Sequence, residues 1–250
     1  MTAVLYVGHS TVLIEVDGVR LLTDPLLRRR VGHLRRDSQV DLGSLQNLDA
    51  VLISHAHRDH LDIPSLRRLD RATTAIVPRG LRRLVRGLGF NRVIEIDEGE
   101  ALPMGPVEVR ATHAEHDERR PPFSRVSGPA LGYAISGSSR IYFAGDTALF
   151  QRMDGLVSDL DLALIPIWGW GPTLGRGEHL DPASAAQALS LLRPRMAVPI
   201  HWGTYRPLQH GLRREPAFLR EPAESFIREA AATAPEVDVR VLKPGERLEL

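Results

Sequence analysis

The chain has no cysteine among its 250 residues. That absence excludes disulfides, thiolate metal sites and a cysteine nucleophile, and leaves histidine, aspartate and glutamate as the strong metal ligands. Lysine is nearly missing as well, because Lys243 stands alone and every other basic side chain is arginine. The formal net charge is only +1, so no global field points to nucleic acid. No apolar run reaches membrane-spanning length, and residues 1–7 pass directly into Gly8-His9-Ser10 without the basic and apolar segments of a secretory leader. A soluble, cytoplasmic protein without a transmembrane segment is expected. With 43% hydrophobic and 25% charged residues, no low-complexity stretch and no internal period, residues 1–250 read as one globular domain.

Against this ordinary background, residues 54–60 are conspicuous: Ser-His-Ala-His-Arg-Asp-His. His55, His57, Asp59 and His60 follow the short β-branched run Ala50-Val51-Leu52-Ile53 and precede Asp62-Ile63-Pro64-Ser65-Leu66, which reads as a helix start. The four ligand-type side chains therefore sit on a strand-to-helix turn. On extended backbone, residues two apart point the same way, so His55 and His57 can chelate one ion while Asp59 and His60 face a second. Without a cation, three imidazoles and a carboxylate beside an apolar strand would be costly to desolvate.

Residues 4–7, 12–16 and 19–22 are β-rich, and Asp17-Gly18 signals a tight hairpin. After the histidine-rich turn the pattern alternates. It predicts a helix over 64–69, a strand over 75–78, a helix over 81–88 and strands over 92–96 and 107–111. A second hairpin spans 130–136 and 140–144, and a strand is expected at 162–166. A helix over 182–192 capped by Asp181, a strand at 196–200, a helix over 223–232 and a closing strand at 237–242 complete the order. Antiparallel starts followed by alternating strands and helices imply an α/β fold, a four-layer αββα sandwich of two sheets covered by outer helices. Residues 28–47 and 113–129 read as long loops.

Other strands also end in ligand types. Phe143-Ala144-Gly145 leads to Asp146, Val198-Pro199-Ile200 leads to His201, and the strand at 107–111 runs into His113 and His116, either of which can complete the first ion. Strand ends on one edge are where α/β folds gather their sites.

Taken in order, Gly8-His9-Ser10-Thr11, Thr23-Asp24-Pro25, the 54–60 motif, Phe143-Ala144-Gly145-Asp146-Thr147 and Ile200-His201-Trp202-Gly203-Thr204 resemble the metallo-β-lactamase superfamily over nearly the whole chain. His179-Leu180-Asp181-Pro182 and the His-Trp-Gly-Thr segment are similar to the branch containing N-acylphosphatidylethanolamine-hydrolysing phospholipase D and ascorbate-6-phosphate lactonase. The resemblance implies that His55, His57 and His116 bind one metal, that Asp59, His60 and His201 bind the other, and that Asp146 bridges them. His116 is chosen over His113 because Ala114-Glu115-His116, with Arg120 four residues on, matches the branch's pattern. His9 and Asp24 are expected near the metals, Asp24 orienting a ligand imidazole.

Two divalent ions are implied, zinc with manganese as the alternative. Two such ions less Asp59, Asp146 and a bridging hydroxide leave one net positive charge, which favours an anionic substrate. The function expected is hydrolysis of a phosphodiester in a small-molecule or lipid-like phosphorylated substrate, with Asp59 orienting the nucleophile and His179 donating a proton or contacting phosphate. The alternatives are a lactonase or acyl-ester hydrolase and, outside catalysis, a metal-stabilised nucleotide- or nucleic-acid-binding protein. True β-lactam hydrolysis is disfavoured because Asp146 replaces the usual Cys or His, and the flavin-linked diiron members carry Glu where His57 stands. Trp168-Gly169-Trp170-Gly171-Pro172 can wall a cleft, and Arg119, Arg120 and Arg125 can recognise phosphate. The clusters Arg28-Arg29-Arg30, Arg35-Arg36 and Arg67-Arg68 have the donor geometry for phosphate too, but only arginines near the metal motifs are taken as functional candidates.

Overall fold

Asp17 and Gly18, both at positive φ (51° and 84°), close the first hairpin, in which Val16 pairs with Val19 and Ile14 with Leu21. The primed turn matches the strand twist, as the Asp-Gly pair predicts. The computed structural model describes residues 2–36, 38–117, 119–120, 124, 126–169, 178–208 and 217–250.

Two sheets of seven strands form the centre. The first runs in the order Arg247–Glu249, Ala3–Gly8, Thr11–Val16, Val19–Thr23, Ala50–Leu52, Thr74–Pro78, Arg92–Ile96. The second runs Asp238–Val239, Met196–Ile200, Leu162–Pro166, Arg140–Phe143, Leu131–Ser136, Val107–His113, Ala101–Met104. Each sheet is antiparallel at one end and parallel at the other. The inner parallel strands Ala50–Leu52, Thr74–Pro78 and Leu162–Pro166 are buried on both faces. Between the sheets lie Tyr6, Ile14, Leu52, Val109, Tyr133, Phe143 and Val198, all essentially inaccessible to solvent. The opposite face of the first sheet, Leu13, Leu22, Val51 and Val77, packs on Leu66, Leu81 and Val85 of the short helical segments. That of the second sheet, Tyr142, Ile165 and Ala197, packs on Leu189 and Phe226 of the two longer helices. The result is the expected four-layer α/β sandwich, each buried Leu, Ile or Phe contributing about 1.5–3 kcal/mol.

Helix Pro182–Leu192 begins and ends as predicted, because Asp181 forms a capping box with Ser184. The other helices differ. Ile63–Leu66 and Arg82–Arg86 are only one turn or slightly more, while Glu221–Thr233 is longer than the apolar pattern suggested. The tail expectation also needs correction: the strand at its start is only Asp238–Val239, and Arg247–Glu249 closes the first sheet beside Ala3–Gly8. Residues 28–47 are not an unstructured loop, since Arg30–Val31 pairs with Leu34–Arg36, which pairs in turn with Tyr205–Pro207 in a small third sheet. Their polar, arginine-rich sequence hides the strands, which are held by a distant partner rather than by local propensity. Among the described residues no helix is long and apolar enough to cross a membrane.

Candidate metal centre

Seven segments that leave strands meet at one edge of the sandwich. His9 follows Ala3–Gly8, Asp24 follows Val19–Thr23, His55, His57, Asp59 and His60 follow Ala50–Leu52, and His116 follows Val107–His113. Asp146, Trp168 and His201 follow Arg140–Phe143, Leu162–Pro166 and Met196–Ile200. Carboxyl ends of strands are where open α/β sheets place their crevices. The two sheets are joined at this edge by backbone bonds from His201 N–H to the His9 carbonyl and from Leu131 N–H to the Ser54 carbonyl, both 2.9 Å. His9, Asp24 and His201 have positive φ (58°, 32° and 60°), a conformation that costs a non-glycine residue energy and aims the side chain inward.

The side chains gather into overlapping clusters of donor atoms within 4.8 Å of one another: His55, His57 and His116; His9, Asp59, His60 and His201; and His116, Asp146 and His179. Asp146 lies between the first two. Its Oδ2 is 3.2 Å from Nε2 of His60, of His201 and of His179. His116 Nε2 is 3.1 Å from His57 Nδ1. Every residue expected as a ligand is therefore part of one constellation, and so is His179. His113 is in none of these clusters; it is turned to Glu98 at 2.9 Å and lies edge-on to Phe150.

Hydrogen bonds orient the imidazoles. Asp24 Oδ2 accepts the Nδ1 proton of His60 at 2.7 Å, as the sequence led us to expect of Asp24. The carbonyl of Trp168 accepts from His201 Nδ1 at 2.5 Å, and the carbonyl of Glu178 accepts from His116 Nδ1 at 2.7 Å. In each ring a proton is thereby held on Nδ1, which leaves Nε2 directed at the centre as the atom a metal would use. Ser54 Oγ donates to Asp24 Oδ2 at 2.5 Å and lies 2.9 Å from His55 Nδ1, so one buried carboxylate steadies His60 directly and His55 through a hydroxyl. Gly145, at φ 63°, allows the approach: a Cβ there would stand 2.7 Å from the Ser54 Cβ. Gly169 does the same for His179, whose ring carbon Cγ would be 2.8 Å from an added Cβ.

The electrostatics match the donor arrangement. Burial pushes His55 well below its ordinary pKa, lowers His57, and takes His116 down to about 4 despite Asp146 nearby. Burial would raise Asp59 and Asp146, yet the imidazoles around them hold both well below the usual carboxylate range. Burial would lower His201, but Asp146 and Asp59 draw it up to about 9. His55, His57 and His116 thus present lone pairs, while the ionised carboxylates hold positive charge on His60 and His201 that a metal ion would replace.

These residues fit metal ions. His60 Nδ1 donates to Asp24 while its Nε2 faces Asp146 Oδ2 at 3.2 Å, so positive charge, a proton or a metal ion, must lie between those two atoms. Buried Nε2 of His55, His57 and His60 and Oδ1 of Asp146 have no hydrogen-bond partner. Donors sharing a tetrahedral ion at about 2.0–2.1 Å stand about 3.3 Å apart, close to the separations seen here.

Two expectations around the centre are corrected. Arg120 does not face a substrate; it is buried and its Nη1 donates to the carbonyls of Ala56 and Leu61, tying down the 54–60 turn. Arg119 is exposed and pairs with Asp117. Arg125 and the Trp170, Gly171 and Pro172 of the aromatic turn lie outside the described residues. The groups that sequence reasoning missed are mostly backbone carbonyls, which leave no sequence signal; Ser54 alone was adjacent to the motif and could have been read as a hydrogen-bonding neighbour.

Comparison with known proteins gives the family. Residues 19–202 match the beta-lactamase superfamily domain. A metal-dependent hydrolase of Caldivirga maquilingensis is 32% identical over 98% of this chain and 96% of its own. An N-acyl-phosphatidylethanolamine-hydrolyzing phospholipase D of Caenorhabditis elegans is 30% identical over 80% of this chain, which spans 63% of that enzyme's length. A solved metallo hydrolase of Ignicoccus hospitalis superposes with a TM-score of 0.72 at 25% identity, covering 100% of this chain and 99% of that one. The chain belongs to the metallo-β-lactamase superfamily. Within it, the protein is a metal-dependent hydrolase whose His/Asp cluster is able to hold metal.

Proposed function

We propose that residues 1–250 act as one dinuclear hydrolase domain that cleaves a phosphodiester in a small-molecule or lipid-like anionic substrate. The observation that carries this reading is the position of Asp146 between two donor sets. His55, His57 and His116 would hold one ion, and Asp59, His60 and His201 the other, with Asp146 shared. Imidazole-rich, sulfur-free donors suit zinc, with manganese the alternative. Bound there, a pair of divalent ions supplies Lewis acidity and water acidified toward neutral pH.

The protein's own groups supply orientation and proton handling. Asp59 Oδ2 lies 3.1 Å from His9 Nε2, and its ionised carboxylate is placed to orient an attacking water by accepting a hydrogen bond from it. His179 keeps 13% of its side chain exposed beside the buried His60, Asp146 and His201, so it can meet the leaving oxygen from the open side. Two doubly charged ions outweigh the two carboxylates, so the loaded site attracts an anion, and the substrate stated in the nematode relative's name is itself a phosphodiester. The test is turnover of bis-para-nitrophenyl phosphate beside a panel of simple lactones by the zinc-loaded protein. Diester turnover is expected; hydrolysis of lactones alone would replace this reading with the acyl-ester one.

A further inference from the structure

Three separate arginine clusters each send one member to the same cavity. Arg29, Arg36 and Arg68 line a space of about 250 Å³, with Ser38 beside them and Leu27 and Leu42 among its apolar walls. Among its described lining residues there is no carboxylate. The nearby Asp62 is engaged elsewhere, accepting two bonds from Arg28 and one from the Ser65 hydroxyl.

Arg36 is the unusual member, because it is only 2% exposed. Its Nη1 donates to the Val7 carbonyl at 2.6 Å, its Nη2 to the Leu26 carbonyl at 3.0 Å and its Nε to the Tyr205 hydroxyl at 3.4 Å, with the guanidinium 5.3 Å from the Tyr205 ring. All of those partners are neutral. A guanidinium has five N–H donors, so these bonds leave donors over, and a buried cation without a counter-charge is costly. The Ser38 hydroxyl is also buried and has no hydrogen-bond partner. The cavity contains none of the metal-centre side chains. It is smaller than the ~300–1,000 Å³ of sites for drug-sized ligands.

We propose that this cavity is a second binding site, for a phosphate dianion, either free or as the monoester of a small molecule. The guanidiniums of Arg29, Arg36 and Arg68 surround the phosphate oxygens, the Ser38 hydroxyl donates to one of them, and Leu27 and Leu42 meet any carbon attached. Planar guanidinium forks match phosphate oxygens in pairs, and the scarcity of opposing charge makes the site selective for anions.

The test is calorimetric titration of inorganic phosphate, and separately of glycerol 3-phosphate, into the full-length metal-loaded protein at constant ionic strength. Arg29 and Arg68 are exposed, so Arg29→Gln and Arg68→Gln should fold normally, as circular dichroism will show. Each is expected to weaken phosphate binding by about tenfold or more, with Arg68→Lys recovering part of the loss and His57→Ala leaving the affinity unchanged. Tighter binding of the ester assigns the apolar wall to a monoester; equal binding assigns the site to free phosphate. Affinity indifferent to both arginine variants, or lost in His57→Ala, would place the phosphate at the metal centre and overturn the proposal. So would phosphate binding that emerges only in Asp37→Asn, which would make Asp37, outside the described residues, the cavity's own counter-charge.

Discussion

Asp24 and His60 form a hydrogen bond of 2.7 Å with both side chains fully withdrawn from solvent. The same carboxylate oxygen accepts from Ser54, and the other oxygen accepts the Ser54 amide at 2.7 Å. An acceptor-only group thus sets the tautomer of an imidazole that faces Asp146.

Asp24→Asn tests that relationship. Asn tolerates the positive φ at this position, but its amide cannot accept three hydrogen bonds as a carboxylate does, and one orientation would force His60 to present N–H to the metal. A loss of metal affinity of about 10–100-fold is expected, measured by competition with a chelating dye. Unchanged affinity would mean that the bond to Asp24 does not organise His60.

His57 is less buried than His55 or His60, so its removal should leave the core intact. His57→Ala is expected to lose one of two metal equivalents in elemental analysis and to lose turnover with it. A variant that kept both equivalents and full activity would contradict the two-set assignment. Chelation of the parent protein should abolish turnover, and added zinc should restore it.

Gly145→Ala is a purely steric probe of the Asp146 position. The added Cβ would meet Ser54 at 2.7 Å, and φ of 63° strains any L side chain. Because the native conformation is unsuitable for alanine, the loss of stability should exceed about 1 kcal/mol in urea denaturation. Metal affinity should fall as well, since the clash lies between Asp146 and the Ser54 that steadies His55.

Asp181 offers a pH test on a carboxylate outside the donor clusters. Its carboxylate accepts the Ser184 amide at 2.8 Å and the Ser184 hydroxyl at 2.6 Å. Partial burial would raise its pKa, but the bonds from Ser184 and its neighbours outweigh that and hold it below the ordinary 3.8. The unfolded chain then binds more protons on the acid side of 3.8, so the cap's stabilisation is full above that pH and is lost as pH falls through the folded value. Asp181→Ala should cost about 1 kcal/mol at neutral pH. The difference from the parent, followed by denaturant titration, should close below the carboxylate range; a gap that persisted in acid would show that the charge is not what caps the helix.

Much of this protein was legible in one dimension because its signals are local. Asp17-Gly18 dictates a hairpin, Asp181 and Pro182 start a helix, and the 54–60 motif puts four donor side chains on one turn whatever the rest of the chain does. Apolar runs such as 162–166 and 196–200 announced strands covered on both faces, and with them the layered architecture. Strands 30–31 and 34–36 were not legible, since 34–36 is held by its partner at 205–207 and 30–31 only by 34–36, contacts that supply what their own composition lacks. The same holds at the centre. By residue type His113 and His116 are equivalent and only the motif around His116 separates them; the fold turns His116 toward His57 and His113 toward Glu98. No reading of side-chain types could reveal that the carbonyls of Trp168 and Glu178 orient two imidazoles, or that Arg29, Arg36 and Arg68 share a cavity. Propensity and ligand chemistry belong to residues and their near neighbours, whereas a distance between segments a hundred residues apart exists only after the sheets have packed.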